Sequence, residues 1–298
     1  MPEEKENSQP TSHPNEPAAP EETPAAMGRR EWMKWLVAAT ATETLFATPY
    51  SLASNQLETT YHHIDPFDGK DSPSSLRIAV ITDLHLWGKL SDYDHLIREV
   101  EVASPDLIVI VGDTLEKTSR LPLVDILGEM DAPLGKLATL GNWERRRVNL
   151  NALKKAYDRL GVELLVNDRH DVGGVQLLGV DDWRTGCIDL EVTVETIRRG
   201  PTIVLSHCPI FFDEVLNEIP EVKEARDSRR LLMLSGHTHG GQIAPLGVVP
   251  ITPRGSGRFV SGWYHEEQGS LFVSRGIGYS GIPLRIGPSP ELAILDFD

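Results

Sequence analysis

Two stretches decide the fold: Leu76-Arg77-Ile78-Ala79-Val80-Ile81-Thr82-Asp83-Leu84-His85 and Leu231-Leu232-Met233-Leu234-Ser235-Gly236-His237-Thr238-His239-Gly240-Gly241-Gln242. Each is a short apolar run that ends on carboxylate or imidazole side chains. The pattern recurs where Leu107–Val111 meets Gly112-Asp113, Lys136–Leu140 meets Gly141-Asn142, and Thr202–Ser206 meets His207. Val175–Val180, Leu271–Ser274 and Glu291–Phe297 read as further strands. Helix-period segments lie between them at Asp92–Ala103, Asn151–Leu160 and Leu190–Arg198, the first with a capping-box-like start at Ser91 and Asp94. Strands alternating with helices predict an α/β domain with largely parallel connections.

In α/β sheets, ligands bind at the carboxyl ends of strands. That edge collects Asp83, His85, Asp113, Asn142, His207, His237 and His239. The i, i+2 spacing within Asp83/His85 and His237/His239 puts each pair on one face if the backbone is extended. Glycines before Asp113, Asn142 and His237 permit sharp turns and close backbone approach. Mixed nitrogen and oxygen donors without thiolate suit two divalent ions of Mn, Fe or Zn. Two such ions about 3.5–4 Å apart polarise a phosphoryl oxygen and supply hydroxide at neutral pH. Four positive charges against two aspartates leave a centre of about +2, which attracts phosphate.

Composition narrows the partners. A net charge of −15 and pI near 5.1 exclude a general nucleic-acid binder, which needs a basic face. The substrate expected is a phosphorylated small molecule or lipid. Cys187 and Cys208 form no C-x-x-C motif, and Cys208 reads as a buried small apolar residue. Of the ten histidines, His13, His62, His63, His95 and His170 read as tail or surface residues, with His265 undecided.

The series Asp-x-His, Gly-Asp, Gly-Asn, a lone His and Gly-His-x-His resembles the calcineurin-like metallophosphoesterases from about Leu76 to the C-terminus. The resemblance implies a four-layer α/β/β/α sandwich of two packed mixed sheets. It implies that Asp83, His85 and His239 serve one metal, Asn142, His207 and His237 the other, and that Asp113 bridges. Asp113, Asn142 and His207 are thereby the catalytic set, with attack by metal-bound hydroxide. The segment Phe272–Arg285 is similar to a membrane-associated or exported bacterial branch that includes UDP-2,3-diacylglucosamine pyrophosphatases of lipid A synthesis. The pattern breaks at Trp143, where the family usually has a histidine that contacts phosphate. Indole has one N–H donor and no useful titration, so Trp143 points to substrates with good leaving groups. Trp143, Arg145 and Arg146 are candidate substrate contacts, and a packed ring and a solvated basic turn are the plain alternatives. Arg147, Arg275, Arg285 and Asp181-Asp182-Trp183 are further candidates near the site. The wider alternatives are an exported envelope phosphodiesterase or phospholipase, and a catalytically silent metal-binding scaffold.

Three segments precede or compose this domain. Residues 1–26 hold six prolines and six glutamates and no Ile, Leu, Val, Phe, Trp or Tyr, which predicts a disordered tail. Residues 27–56 open on Met27-Gly28-Arg29-Arg30-Glu31-Trp32-Met33-Lys34-Trp35, resembling a twin-arginine export signal. An interfacial anchor or a surface amphipathic helix are the other readings. Residues 57–298 form the catalytic domain. UDP-diacylglucosamine belongs on the cytoplasmic membrane face, whereas a working signal removes the enzyme from it. Fusing residues 1–60 to a reporter that works only outside the cytoplasm separates the two: a positive reporter marks a working signal and excludes the UDP-lipid substrate, and a silent one keeps it.

Overall fold

A computed structural model of the chain describes residues 56–65, 67, 75–218, 231–267 and 269–297. The tail and export-like segments, 1–26 and 27–56, lie outside these residues apart from Gln56.

Strand β3 (Leu107–Val111) is buried at every position, so neither of its faces meets water. Its side-chain parity separates two cores. Leu107, Val109 and Val111 belong to one, and Ile108 and Ile110 to another. The same split runs through β2 (Leu76–Ile81) and β4 (Lys136–Thr139). With β5 (Val162–Leu164), β1 (Glu58–Ile64) and β12 (Glu291–Phe297) they form a six-stranded sheet in the order β1-β12-β2-β3-β4-β5. Only the β12–β2 pair is antiparallel.

The second sheet runs β10-β11-β9-β8-β7-β6. Its strands are β6 (Asp168–Val172), β7 (Val175–Gly179), β8 (Thr202–Leu205), β9 (Leu231–Ser235), β10 (Gly262–Glu266) and β11 (Gly269–Val273). Only its outermost pairs, β6–β7 and β10–β11, are antiparallel. Ile203, Leu205, Leu232 and Leu234 face the first sheet across a shared core. Val204, Met233 and Leu271 turn the other way, onto Ile197 of α4 (Leu190–Arg199) and Phe211, Phe212 and Val215 of α5 (Ile210–Glu218). On the far side, α1 (Asp94–Ala103) and α3 (Leu150–Arg159) cover the first sheet through Leu96, Val100, Leu153 and Tyr157. Three cores between four layers give the α/β/β/α sandwich that the resemblance implies.

The strands and helices read from the sequence are present within a residue or two. The capping box at Ser91 and Asp94 is not. A 3-10 turn over Leu90–Tyr93 precedes α1, and Lys89 N–H donates to Asp92 Oδ2 at 2.8 Å. Side-chain caps sit instead on α3, where Asn149 accepts from Ala152, and on α4, where Asp189 accepts from Val192. Strands β1, β5, β6 and β10 and helices α2 (Asn142–Arg147) and α5 escape the sequence reading. Among the described residues no helix is long and apolar enough to cross a membrane.

Leu205 fills the middle layer with no exposure. Leu205→Ala is expected to destabilise the domain by about 2–5 kcal/mol in urea unfolding, whereas Val102→Ala, at 74% exposed, changes it by less than about 0.5 kcal/mol.

Candidate metal centre

The parallel strands β2, β3, β4, β8 and β9 all end at one edge, and each delivers its side chains through a tight turn there. Five residues take the left-handed backbone that L-residues avoid: Asp83 (φ 51°), His85 (43°), Asp113 (51°), His237 (72°) and His239 (52°). Asp83/His85 and His237/His239 thus converge through consecutive sharp turns. The extended-backbone reading of their i, i+2 spacing is wrong, although its consequence holds. Hydrogen bonds pin the turns: Asp83 N–H donates to Gly112 O (3.1 Å), His85 N–H to Asp113 O (2.9 Å) and Gly278 N–H to Asp83 O (2.7 Å).

All seven residues meet in the interior. Asp83, His85 and His239 form one group, and Asp113, His207 and His237 a second, the ligand atoms of each group lying within 4.8 Å of one another. His239 Nε2 lies 3.2 Å from His85 Nε2 and 3.5 Å from Asp83 Oδ1. Asp113 Oδ2 reaches both groups, 3.1 Å from His207 Nε2 and 3.7 Å from His85 Nε2. Asn142 heads α2 beside them.

Three observations fit a cation in each group. The Val111 carbonyl can only accept, so it places a proton on His207 Nδ1 at 3.1 Å; likewise the Arg254 carbonyl places one on His237 Nε2 at 3.0 Å. In the neutral rings the lone pairs of His207 Nε2 and His237 Nδ1 then face each other at 3.1 Å, an arrangement that a shared cation stabilises. Asn142 Oδ1 is buried without a hydrogen-bond partner, an acceptor aimed where a cation would satisfy it. Finally, Asp83 and Asp113 are almost wholly buried, and their ion-pair partners among the described residues are histidines. Buried carboxylates call for positive charge. Although burial opposes it, Glu116 and then the two aspartates hold His85 above the ordinary histidine range, and Asp113 and then Asp83 hold His207 well above it. His239 moves down to about 3, through burial first and then through His85 and Arg285, against the pull of Asp83.

Residues outside the sequence-derived set hold this arrangement. Glu144 is buried and accepts from the backbone N–H of Asp113 (3.0 Å), Leu115 (2.8 Å) and Gly141 (3.0 Å), tying the β3 and β4 turns together. Burial and then the nearby Asp113 raise its carboxyl to about 7. Glu116 Oε1 lies 3.3 Å from His85 Nδ1 and orients that ring. Arg285, also fully buried, donates to the carbonyls of His239, Arg275, Gly276 and Gly278, and its Nη2 lies 3.3 Å from His239 Nδ1. It stands behind the ligand ring, and desolvation lowers it to about 10.

The flanking candidates separate. Arg145 makes a two-pronged ion pair with buried Asp181, so it is committed to the fold and is not a free phosphate contact. Asp181 and Asp182 build the loop beyond β7; Asp182 Oδ1 accepts from buried Cys208 Sγ at 3.3 Å, and Trp183 Nε1 donates to Glu214. Arg147 lies over the Trp143 ring, 4.8 Å from its centre. Arg275 pairs with Glu58 and Glu291. Trp143, Arg146 and Arg184 line a cleft of about 510 Å³ that opens onto Asp113, Asn142, His237 and His239. A second cavity of about 790 Å³ lies on the His85 side, between Glu116, Arg120, Trp87 and Tyr279. His62 is half-buried against Trp263 and Phe272 rather than on the surface, and His265 stacks on Trp263.

Such a sandwich, with two ligand groups joined by one carboxylate at the strand ends, defines the class of dinuclear metallohydrolases. The chain belongs to the calcineurin-like phosphoesterase family, whose sequence profile matches residues 76–241. It is 28% identical over 292 residues to the uncharacterized metallophosphoesterase YkuE of Bacillus subtilis, covering 90% of this chain and 96% of that one. It is 30% identical over 268 residues to a bovine transmembrane protein with metallophosphoesterase domain, covering 82% of this chain and 56% of that protein. An uncharacterized metallophosphoesterase of Campylobacter jejuni is 30% identical over 234 residues, 74% of this chain and 59% of that one. The chain therefore spans little more than half the length of several curated relatives.

A Cβ on Gly141 would overlap Asp113 Oδ1 and its backbone nitrogen. Gly141→Ala is expected to displace the carboxylate shared by both groups and to lower bound Zn or Mn by elemental analysis. Val102→Ala, far from the centre, leaves metal content unchanged.

Proposed function

We propose that the protein is a phosphoester hydrolase with two divalent ions, one held by Asp83, His85 and His239, the other by Asn142, His207 and His237, with Asp113 between them. One observation carries this reading: Asp113 Oδ2 lies within 3.7 Å of a histidine from each group. The ions, when bound, supply electrophilic polarisation of the phosphoryl oxygen and an activated water. The chain does the rest. Trp143 N–H donates to Asp113 Oδ1 at 2.9 Å and fixes the carboxylate's second oxygen, leaving Oδ2 for the shared position. Arg146 and Arg184, both exposed, enter the cleft beside Trp143 and hold a phosphate or a second anionic group.

Trp143 sets the leaving group. A half-buried indole at the mouth of the cleft can stack on a base or pack against an acyl chain, but it cannot deliver a proton at neutral pH. Departure of an alkoxide without a proton is slow, whereas phosphate and aryl groups leave unaided. The substrate class that follows is a pyrophosphate or activated diester. A UDP-linked glycolipid is the first compound to try, supported by the likeness of the Phe272–Arg285 segment to that branch. An exported envelope phosphodiester replaces it if the twin-arginine-like start functions, and membrane attachment through that start agrees with the transmembrane naming of the bovine relative.

A metal-supplemented screen across monoesters, diesters and pyrophosphates, run beside Asp113→Ala, tests the reading. Turnover is expected with pyrophosphates and activated diesters and is lost in the variant; stoichiometric metal without turnover would assign the chain a scaffold role. Across diesters of graded leaving-group pKa, the rate is expected to rise steeply as the pKa falls. Trp143→His should flatten that slope and raise alkyl ester turnover by about 10²-fold; a rate indifferent to the leaving group in the unaltered protein sinks the idea.

A further inference from the structure

The loops over the metal edge differ in composition from the rest of the chain. Residues 236–257 and 275–290 contain no aspartate or glutamate, although the chain carries 44 acidic residues. The same loops expose large apolar side chains: Leu246 (80% exposed), Val248 (65%), Ile251 (80%) and Ile282 (59%). Trp87, 61% exposed on the turn after β2, joins them. Ile251, Ile282 and Trp87 share one rim, and Leu246 and Val248 belong to the same loop as Ile251. Ile251 and Ile282 line the cleft over Asp113, and Ile282 and Trp87 line the neighbouring cavity beside His85. Around the rim stand the exposed arginines Arg146, Arg184 and Arg254, which form no ion pair among the described residues.

Fold stability does not account for this surface. Leu246 combines near-full exposure with a left-handed backbone, φ 56°, where glycine or asparagine is favoured. Pro245, Pro250 and Pro253 stiffen the segment that carries it. Aliphatic tips, one tryptophan and unpaired arginines, with no acids in the two loops and Asp92 and Glu116 set on the Trp87 side, make the chemistry of an interfacial face: the tips enter the acyl boundary and the guanidinium groups meet headgroup phosphates. Charge complementarity selects the occupant. At −15 the chain as a whole repels an anionic surface, and the acid-free loops, with the arginines beside them, are where that repulsion is locally reversed.

We infer that this rim docks on a bilayer bearing anionic headgroups, placing the mouth of the cleft against the lipid surface. Docking is read without turnover, so its failure and the failure of the hydrolase reading are separable. The test is partition of the full chain onto sedimented vesicles of phosphatidylcholine, alone or equimolar with phosphatidylglycerol. Tighter partition onto the anionic vesicles is expected. Leu246→Asn with Val248→Asn, neither of which lines the cleft, should lower that partition by about tenfold, and Arg254→Gln should cut the preference for phosphatidylglycerol by about fivefold. The Asn variant keeps its melting temperature and its hydrolysis of a soluble diester, which separates lost docking from lost folding. Partition that is equal in variant and unaltered protein, or indifferent to phosphatidylglycerol, overturns the proposal. So does vesicle-free self-association that the Asn variant abolishes, which would assign the rim to a second copy of the chain.

Discussion

Everything at the working edge follows from two carboxylates, Asp83 and Asp113, held out of water at the junction of two sheets. A buried carboxylate is tolerable only when charge and hydrogen bonds replace its hydration. The chain answers with backbone and imidazole: His237 N–H spans both Asp83 oxygens at 2.9 and 3.1 Å, Trp143 N–H takes one Asp113 oxygen, and four histidines ring the pair. No lysine or arginine pairs with either aspartate among the described interactions. Cationic charge there would cancel the field that makes the site suitable for divalent ions. Arg285, the one guanidinium close behind, spends its donors on four carbonyls and stays behind His239.

Placing these groups strains the backbone. Left-handed conformation costs an L-residue roughly 1–2 kcal/mol, so five such residues cost about 5–10 kcal/mol, comparable to the net stability of a whole domain. Asp and His tolerate the region better than most residues, which lowers that sum without removing it. The cross-links between turns offset the remainder: Glu144 joins the β3 and β4 turns, and the Gly276–Gly278 backbone closes on the β2 turn. Strain held by so many bonds marks a preorganised site rather than a defect.

That division explains what could be read from the chain alone. The central strands were legible because burial on both faces forces continuous apolar runs, and the ligands because each follows such a run. Strands β1, β5, β6 and β10 were not, since Glu-Thr-Thr-Tyr-His-His-Ile, Val-Glu-Leu, Asp-Arg-His-Asp-Val and Gly-Trp-Tyr-His-Glu lie at sheet edges and are partly exposed. Helix α2 is a six-residue turn whose sequence, Asn-Trp-Glu-Arg-Arg-Arg, carries no apolar stripe. The roles of Glu116, Glu144 and Arg285 depend on contacts between turns distant in sequence. Glu144 alone left a local signal, three residues after Gly141, whose N–H it accepts. Arg145 misled for the converse reason: nothing in its neighbourhood announces Asp181, 36 residues away.

The charge layout resolves a tension that composition raised. A strongly acidic chain is a poor host for phosphate, yet its acids are not distributed evenly: they are absent from the loops that roof the metal edge. Both aspartates beneath are partnered within the site, Asp83 by His237 N–H and Asp113 by Trp143 N–H. The cleft beneath those loops is lined by Arg146 and Arg184, with Asp113 its one carboxylate among the described residues. Trp143 lines the same cleft and its backbone N–H holds Asp113 Oδ1, so one residue adjoins both the arginines and the shared carboxylate. In the reading proposed above, specificity and entry fall to these same few side chains, while the ligands beneath need only hold their geometry.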